Sequence, residues 1–233
     1  MEKRIITALD VPSTQAMRSL LDKLPSELEW YKLGLELFCA EGPAALDPLH
    51  ERELKIFLDL KLHDIPRTVA NAVRSAARHN IDMLTLHAGG GRAMIEAAVE
   101  AAAESGSERP KLLAVTVLTS LDEADMHELG VERTPREQVL ALGRLAIDAG
   151  VDGLVCSPRE VKALREELGP DPMLVTPGIR LPDGELGDQK RVATPGGAIR
   201  DGASHLVIGR PITQAEDPAL ALRRIEDDIG NNA

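Results

Sequence analysis

Aromatic side chains are scarce in this sequence: one Trp, one Tyr and two Phe among 233 residues. Aliphatic side chains must therefore fill whatever core it builds. Positive charge is also in deficit, with 27 Lys and Arg against 38 Asp and Glu and a formal net charge of −11. Such a balance argues against nucleic acid as a partner, because a phosphate backbone is held largely by the basic residues that neutralise it. The acidity reads as a solubility feature, with Glu226, Asp227 and Asp228 on a solvated helix face. The only two cysteines, Cys39 and Cys156, are too few and too far apart for a disulfide framework or a zinc site. They read as reduced, mostly buried thiols. No C-x-x-C or H-E-x-x-H pattern occurs, so no metal site is expected. No run approaches the roughly 18 apolar residues of a membrane span. The amino terminus opens on the strand-like Arg4-Ile5-Ile6-Thr7-Ala8-Leu9-Asp10, without the apolar stretch of a secretory signal. A soluble cytoplasmic protein with no membrane partner is expected.

What is present is ordinary in bulk, 43% hydrophobic and 28% charged, which indicates a globular chain. Short aliphatic runs alternate with longer amphipathic stretches, the signature of βα units around a parallel sheet. Eight such runs begin near Arg4, Glu29, Lys55, Asp82, Lys111, Asp152, Pro172 and Ser204. Helical spacing marks residues 14–24, 67–79, 92–104, 136–149, 158–168 and 218–229. No Ser/Gly/Pro-rich linker divides the chain, so residues 1–233 read as a single domain. Eight strand-helix pairs in this length favour an α/β fold of the (β/α)₈ TIM-barrel type, with a doubly wound open sheet as the lesser alternative.

In such a barrel the reacting groups sit at the carboxyl ends of the strands. Here those ends carry Asp10, Lys32, Asp59 with Lys61, His87, Thr119, Ser157 and Gly209-Arg210. The third strand reads Lys55-Ile56-Phe57-Leu58-Asp59-Leu60-Lys61-Leu62-His63-Asp64. Alternation turns Leu58, Leu60 and Leu62 towards helices and Phe57, Asp59 and Lys61 into the barrel mouth. An ion pair that merely seals the barrel is the competing reading. Lys32 and Asp64 extend the pair into an alternating array of four charges, and burying so many without purpose is a poor route to stability. A fixed charge array at a mouth is instead a device for chemistry.

The loops after strands seven and eight supply Thr176-Pro177-Gly178-Ile179-Arg180, Gly187-Asp188-Gln189, Thr194-Pro195-Gly196-Gly197 and Ile208-Gly209-Arg210-Pro211. Barrels often bind phosphate at this place. Gly209 lets backbone N–H groups approach an anion, and Arg180 and Arg210 can donate paired hydrogen bonds. Residues 181–190, with two glycines, form the candidate lid. His87-Ala88-Gly89-Gly90-Gly91 lacks the Lys-Ser/Thr of a P-loop and reads as a tight turn. Thr119 ranks above Ser157 as a hydroxyl donor to substrate, since hydroxyls at strand ends also cap helices.

Taken together these segments resemble the bacterial type of the orotidine 5′-monophosphate decarboxylase family. The resemblance runs over essentially the whole chain and is carried by Ala8-Leu9-Asp10, Tyr31-Lys32-Leu33-Gly34, Phe57 to Pro66, His87 to Gly90, Val115 to Ser120, Val175 to Arg180, Gly187-Asp188-Gln189 and Val207 to Arg210. The Asp-x-Lys-x-x-Asp core alone is shared with sugar-phosphate decarboxylases; the extended set is far more specific. The resemblance implies a homodimer that converts orotidine 5′-monophosphate to UMP and CO₂, the last step of de novo UMP synthesis, without metal or organic cofactor. It implies that Asp10 and Lys32 hold the ribose hydroxyls, that Asp59 lies beside the departing carboxylate, and that Lys61 protonates C6. Asp64 would reach into the neighbouring subunit's site, with Thr68 near the same ribose and Ile65 beside them. Thr119 would contact the pyrimidine, Pro177 would also bind substrate, and Arg180, Gln189, Gly209 and Arg210 would surround the phosphate. Two alternatives stay open: a Mg²⁺-dependent sugar-phosphate decarboxylase with the same third strand, and a nucleotide-binding barrel without catalysis.

Overall fold

A computed structural model describes residues 4–181 and 193–232. Among these residues the strands are β1 (Ile5–Ala8), β2 (Trp30–Gly34), β3 (Lys55–Leu62), β4 (Met83–His87), β5 (Lys111–Val115), β6 (Gly153–Val155), β7 (Met173–Thr176) and β8 (His205–Ile208). They pair in parallel and in sequence order, and β8 closes on β1. Each begins within one residue of the expected position. The open-sheet alternative is thereby set aside.

Alternation along the strands divides the core into two layers. Ile6, Ala8, Phe57, Met83, Leu113, Val175 and Val207 fill the barrel interior. Leu9, Leu33, Ile56, Leu58, Leu84, Leu112, Leu154, Leu174 and Leu206 face outward into the layer beneath the helices. Each fully buried leucine there stabilises the fold by about 1.5–3 kcal/mol. Phe57 is the one aromatic ring in the inner cluster, and Trp30 packs against it from the amino-terminal end with its ring edge-on to His205 at 5.7 Å.

The outer helices include Thr14–Leu21, Leu35–Glu41, Pro66–Ala77, Arg92–Ala103, Pro135–Asp148, Val161–Leu168, Pro195–Arg200 and Pro218–Asn232. Their starts follow local chemistry: Thr134 and Glu137 form a reciprocal capping box before Pro135, and Ser13 accepts from the Ala16 N–H. At the amino-terminal end a device repeats on alternate strands. Asp82, Asp152 and Ser204 each stand one residue before β4, β6 and β8. Each accepts the backbone N–H of the second residue of the preceding strand: Ile56 at 2.8 Å, Leu112 at 2.9 Å and Leu174 at 3.0 Å. Buried N–H groups need partners, and these side chains supply them while fixing strand register.

Three expectations need correction. Cys39 is exposed, and only Cys156 is buried. Glu226 and Asp227 are exposed as expected, but Asp228 is half-buried and accepts the Gly196 N–H at 2.7 Å. Thr194-Pro195-Gly196-Gly197 is a helix start rather than an open phosphate loop: Thr194 caps it by accepting from Gly197, so the N–H groups of both glycines are already engaged. No helix of the described residues is long and apolar enough to cross a membrane.

Candidate active site

The carboxyl ends of the strands surround a cavity of about 510 Å³. Its inner wall is aliphatic and aromatic, from Ala8, Phe57, Val115, Val155 and Val207. Polar groups stand above that wall. Asp10, Lys32, Asp59, Lys61, Thr119, Pro177, Arg180, Gly209 and Arg210 all border the cavity. Nine of the residues singled out from sequence thus converge on one space.

One side of the cavity holds a chain of alternating charge. Asp10 Oδ1 lies 3.1 Å from Lys32 Nζ, Lys32 Nζ 3.7 Å from Asp59 Oδ2, and Asp59 Oδ2 2.8 Å from Lys61 Nζ. Side-chain exposure runs from 64% at Asp10 to 12% at Lys32 and 11% at Asp59, then rises to 29% at Lys61. The array therefore passes from solvent into the site and back to the cavity rather than being sealed inside. Gly34 leaves room for it, since a Cβ there would stand 3.0 Å from Lys32 Nζ. Burial would raise the Asp59 carboxyl, but the charges of Lys32 and Lys61 and hydrogen bonds from Lys61 and Thr85 outweigh it and hold Asp59 below the ordinary carboxylate range.

The backbone beneath Lys61 is irregular. Register between β3 and β4 shifts between Leu58 and Leu62, so four residues of β3 pass against two of β4, from Leu84 to Leu86. Within this bulge Lys61 takes φ of +50°, a left-handed conformation that costs a non-glycine residue roughly 1–3 kcal/mol. Backbone strain and perturbed titration thus meet at one strand end. Thr85 Oγ1 accepts the Lys61 backbone N–H at 2.8 Å and donates to Asp59 Oδ1 at 2.9 Å. Beyond it, the His87 and His63 rings lie tilted at 35° to one another with centroids 5.4 Å apart. Burial, then the charges of His63 and Lys61, push the His87 imidazole below its ordinary value against the pull of Asp59. The turn that follows is tight: a Cβ on Gly90 would lie 2.1 Å from Met94 Sδ.

Arg180 and Arg210 border the same cavity after β7 and β8, and Gly209 precedes the short helix Arg210–Thr213. Arg180 Nη1 donates to its neighbour's carbonyl, Ile179 O, at 2.7 Å.

Some predicted residues stand elsewhere. Asp64, Ile65 and Thr68 are exposed on the loop and first turn after β3, and Ile65 shows 67% of its surface. Asp64 Oδ1 accepts the Ile65 N–H at 2.7 Å, so Asp10 rather than Asp64 completes the four-charge array within one chain. Gln189 and residues 182–190 of the candidate lid lie outside the described residues. Ser157 is wholly buried and its Oγ accepts the Arg159 N–H, which makes it a turn former.

Sequence reasoning missed Thr85 and Gln214. Gln214 borders the cavity just past the short helix Arg210–Thr213, and no motif marks it. Thr85 did carry a signal, as a polar residue at an inward position between Met83 and His87 on the strand next to Asp59. Among the described residues no group of three or more His, Cys, Asp or Glu could hold a metal ion.

Comparison with known proteins agrees with this geometry. The family model described as Orotidine 5'-phosphate decarboxylase / HUMPS family matches residues 3–225. An orotidine 5'-phosphate decarboxylase of Moorella thermoacetica is 51% identical over 231 residues, covering 97% of this chain and 92% of that one. That of Actinobacillus succinogenes is 49% identical, over 99% and 100%. The crystal structure of orotidine 5'-phosphate decarboxylase from Lactobacillus acidophilus superposes with a TM-score of 0.86 at 40% identity, covering 98% of this chain and 99% of that one.

Proposed function

The chain belongs to the orotidine 5'-phosphate decarboxylase / HUMPS family, and from that premise we propose that it is a carboxy-lyase converting orotidine 5′-monophosphate to UMP and CO₂. The observation that carries the reading is the ammonium of Lys61, held 2.8 Å from a buried carboxylate at the edge of a cavity that two arginines also border.

When the bond between C6 and the carboxylate breaks, the electron pair stays on C6 and CO₂ leaves. An ammonium already fixed beside that carbon stabilises the charge where it develops, in a site with little water to screen it. Lys61 then gives a proton from Nζ to C6, completing UMP, and takes a replacement from solvent. Asp59, ionised because of its cationic neighbours, aims that ammonium and sits beside the departing group. Lys32 bridges Asp59 to Asp10, and Lys32 and Asp10 take the ribose hydroxyls. Thr119 and Pro177 border the pyrimidine. Arg180, Arg210 and Gly209, with Gln189, take the phosphate, at the place where barrels commonly bind one. Binding energy from that remote phosphate serves to position the ring.

In this reading the enzyme is a homodimer, with the exposed Asp64, Ile65 and Thr68 completing the partner's site. It acts in the cytoplasm at the last step of de novo UMP synthesis, and the reduced state of Cys39 and Cys156 accords with a reducing compartment. It requires no metal or organic cofactor, because Lys61 supplies the positive charge. The test is the absorbance change as orotidine 5′-monophosphate becomes UMP, with and without chelator, alongside sedimentation. Turnover that persists in chelator, by a dimer, is expected. Tight UMP binding without turnover would overturn the catalytic claim. Loss of activity with chelator would overturn the metal-free claim, and an active monomer the shared site.

A further inference from the structure

We propose that Thr85 is a positioning residue for this decarboxylation: one hydroxyl, buried between β3 and β4, ties the carboxylate of Asp59 to the backbone of Lys61 and so sets where the ammonium points. The inference rests on the function proposed above.

Thr85 is wholly buried, and it does not appear among the described residues that line the cavity. Its hydroxyl makes two bonds of opposite sense, donating 2.9 Å to Asp59 Oδ1 and accepting 2.8 Å from the Lys61 N–H. A hydroxyl has a single proton, an ionised carboxylate can only accept and a backbone N–H can only donate. Both senses are therefore fixed, and the Thr85 hydroxyl meets both partners through a single oxygen, which an aliphatic side chain cannot do.

The position matters because the strand ladder is interrupted there. Between Leu58 and Leu62 the β3 register shifts, and Lys61 sits at φ +50°. A left-handed lysine persists only where its surroundings hold it, and the Thr85 oxygen is the partner of its N–H. The same oxygen anchors one carboxylate oxygen of Asp59, while Lys61 Nζ bonds the other at 2.8 Å. Thr85 thus closes a small ring that runs from the Lys61 backbone through Thr85 and Asp59 to the Lys61 ammonium. The titratable and charged groups around this ring are Asp10 beyond β1, Lys32 on β2, Lys61 on β3 itself, and His87 on β4 with the tilted ring of His63 beside it.

Removing the hydroxyl leaves the Lys61 N–H buried without an acceptor and takes one donor from Asp59. The ammonium loses its fixed direction, while nucleotide contacts stay as they were. Asp59 also becomes easier to protonate, so the acid limb of activity moves to higher pH.

The test compares Thr85→Val, which keeps shape and loses the hydroxyl, with Thr85→Ser, which keeps the hydroxyl. For Thr85→Val, kcat is expected to fall by about 10–10²-fold, the scale on which small misplacements of a reacting group act. KM and UMP affinity should change little, and the acid limb of kcat should shift upward. Thr85→Ser should restore most of both. Should the valine variant not fold, Thr85→Cys, with a weak donor of similar size, carries the same expectation. A folded variant without the hydroxyl that keeps wild-type kcat and pH profile, even with a lowered Tm, overturns the proposal. Absence of turnover in the wild-type protein would instead strike the assigned reaction, so the two failures remain distinguishable.

Discussion

At the amino-terminal end of the barrel, Asp152 accepts two bonds from Arg109 at 2.7 Å, one from Lys111 at 3.2 Å and one from the Leu112 backbone. At the opposite end, among the described residues, Asp59 accepts from the side chains of Lys61 and Thr85, with Lys32 3.7 Å away. Both carboxylates are held below the ordinary range, and burial opposes that in each case. What separates them is where the donors come from. Asp152 adds a strand's own backbone N–H to its cationic donors and so joins β5 to β6, whereas Asp59 has side-chain donors alone and faces a cavity. A carboxylate that also holds main chain serves register. One held by side chains beside an open space suits the proposed chemistry, and the left-handed backbone of Lys61 is a cost in stability at that place.

The sharpest way to break that contrast is to cut each end separately. Lys61→Ala should lower kcat by more than the roughly 10²-fold usual for loss of a general acid, with UMP affinity largely kept and Tm little changed. Near-normal turnover would take Lys61 out of the mechanism and reduce the mouth to another structural ion pair. Asp152→Ala should do the reverse. It leaves Leu112 N–H without its acceptor and Arg109 without its carboxylate, a loss of roughly 3 kcal/mol. At this chain length that corresponds to about 6–12 °C in Tm, with kcat per folded molecule unchanged. A fall in kcat would mean that the two ends are coupled through the strands.

Acid titration sharpens the comparison further. Because the folded protein holds Asp152 below its unfolded value of 3.8, the stability this group contributes is fully present above that value and is lost as pH falls through the depressed one. Asp152→Asn should therefore show a shallower loss of stability below about pH 4 than the wild type. Parallel acid limbs in chemical denaturation would show that the carboxylate contributes nothing through its charge.

Much of the barrel was legible because parallel strands are short aliphatic runs whose ends are polar, and eight such runs start within one residue of their true positions. The Asp59/Lys61 pair was legible for a related reason: two residues apart on a strand, side chains share a face. What stayed hidden depends on contacts distant in sequence. Thr85 meets Asp59 and Lys61 across 26 and 24 residues, and the bulge that makes room for it puts a lysine where backbone preference disfavours one. Asp228 reaches Gly196 across 32 residues, so a surface-like acidic run conceals a half-buried acceptor. The helix at Pro195 had a local signal, Thr before Pro, which the two following glycines masked.

The finest test concerns the lysines of the amino-terminal end. Asp82 repeats the Asp152 arrangement, holding the Ile56 N–H at 2.8 Å and Lys55 Nζ at 2.9 Å, but the Lys55 side chain is 55% exposed. Solvent screens such a pair, and exposed ion pairs contribute about 0–1 kcal/mol. If the backbone bond is what fixes register, Lys55→Met should lower stability by less than about 1 kcal/mol, while Asp82→Ala, which also strips the Ile56 N–H of its acceptor, should cost distinctly more. Denaturant titration of the two variants separates these contributions. Equal losses would assign the work at that end to the ion pair and would erase the distinction drawn between carboxylates that hold main chain and those that hold cations.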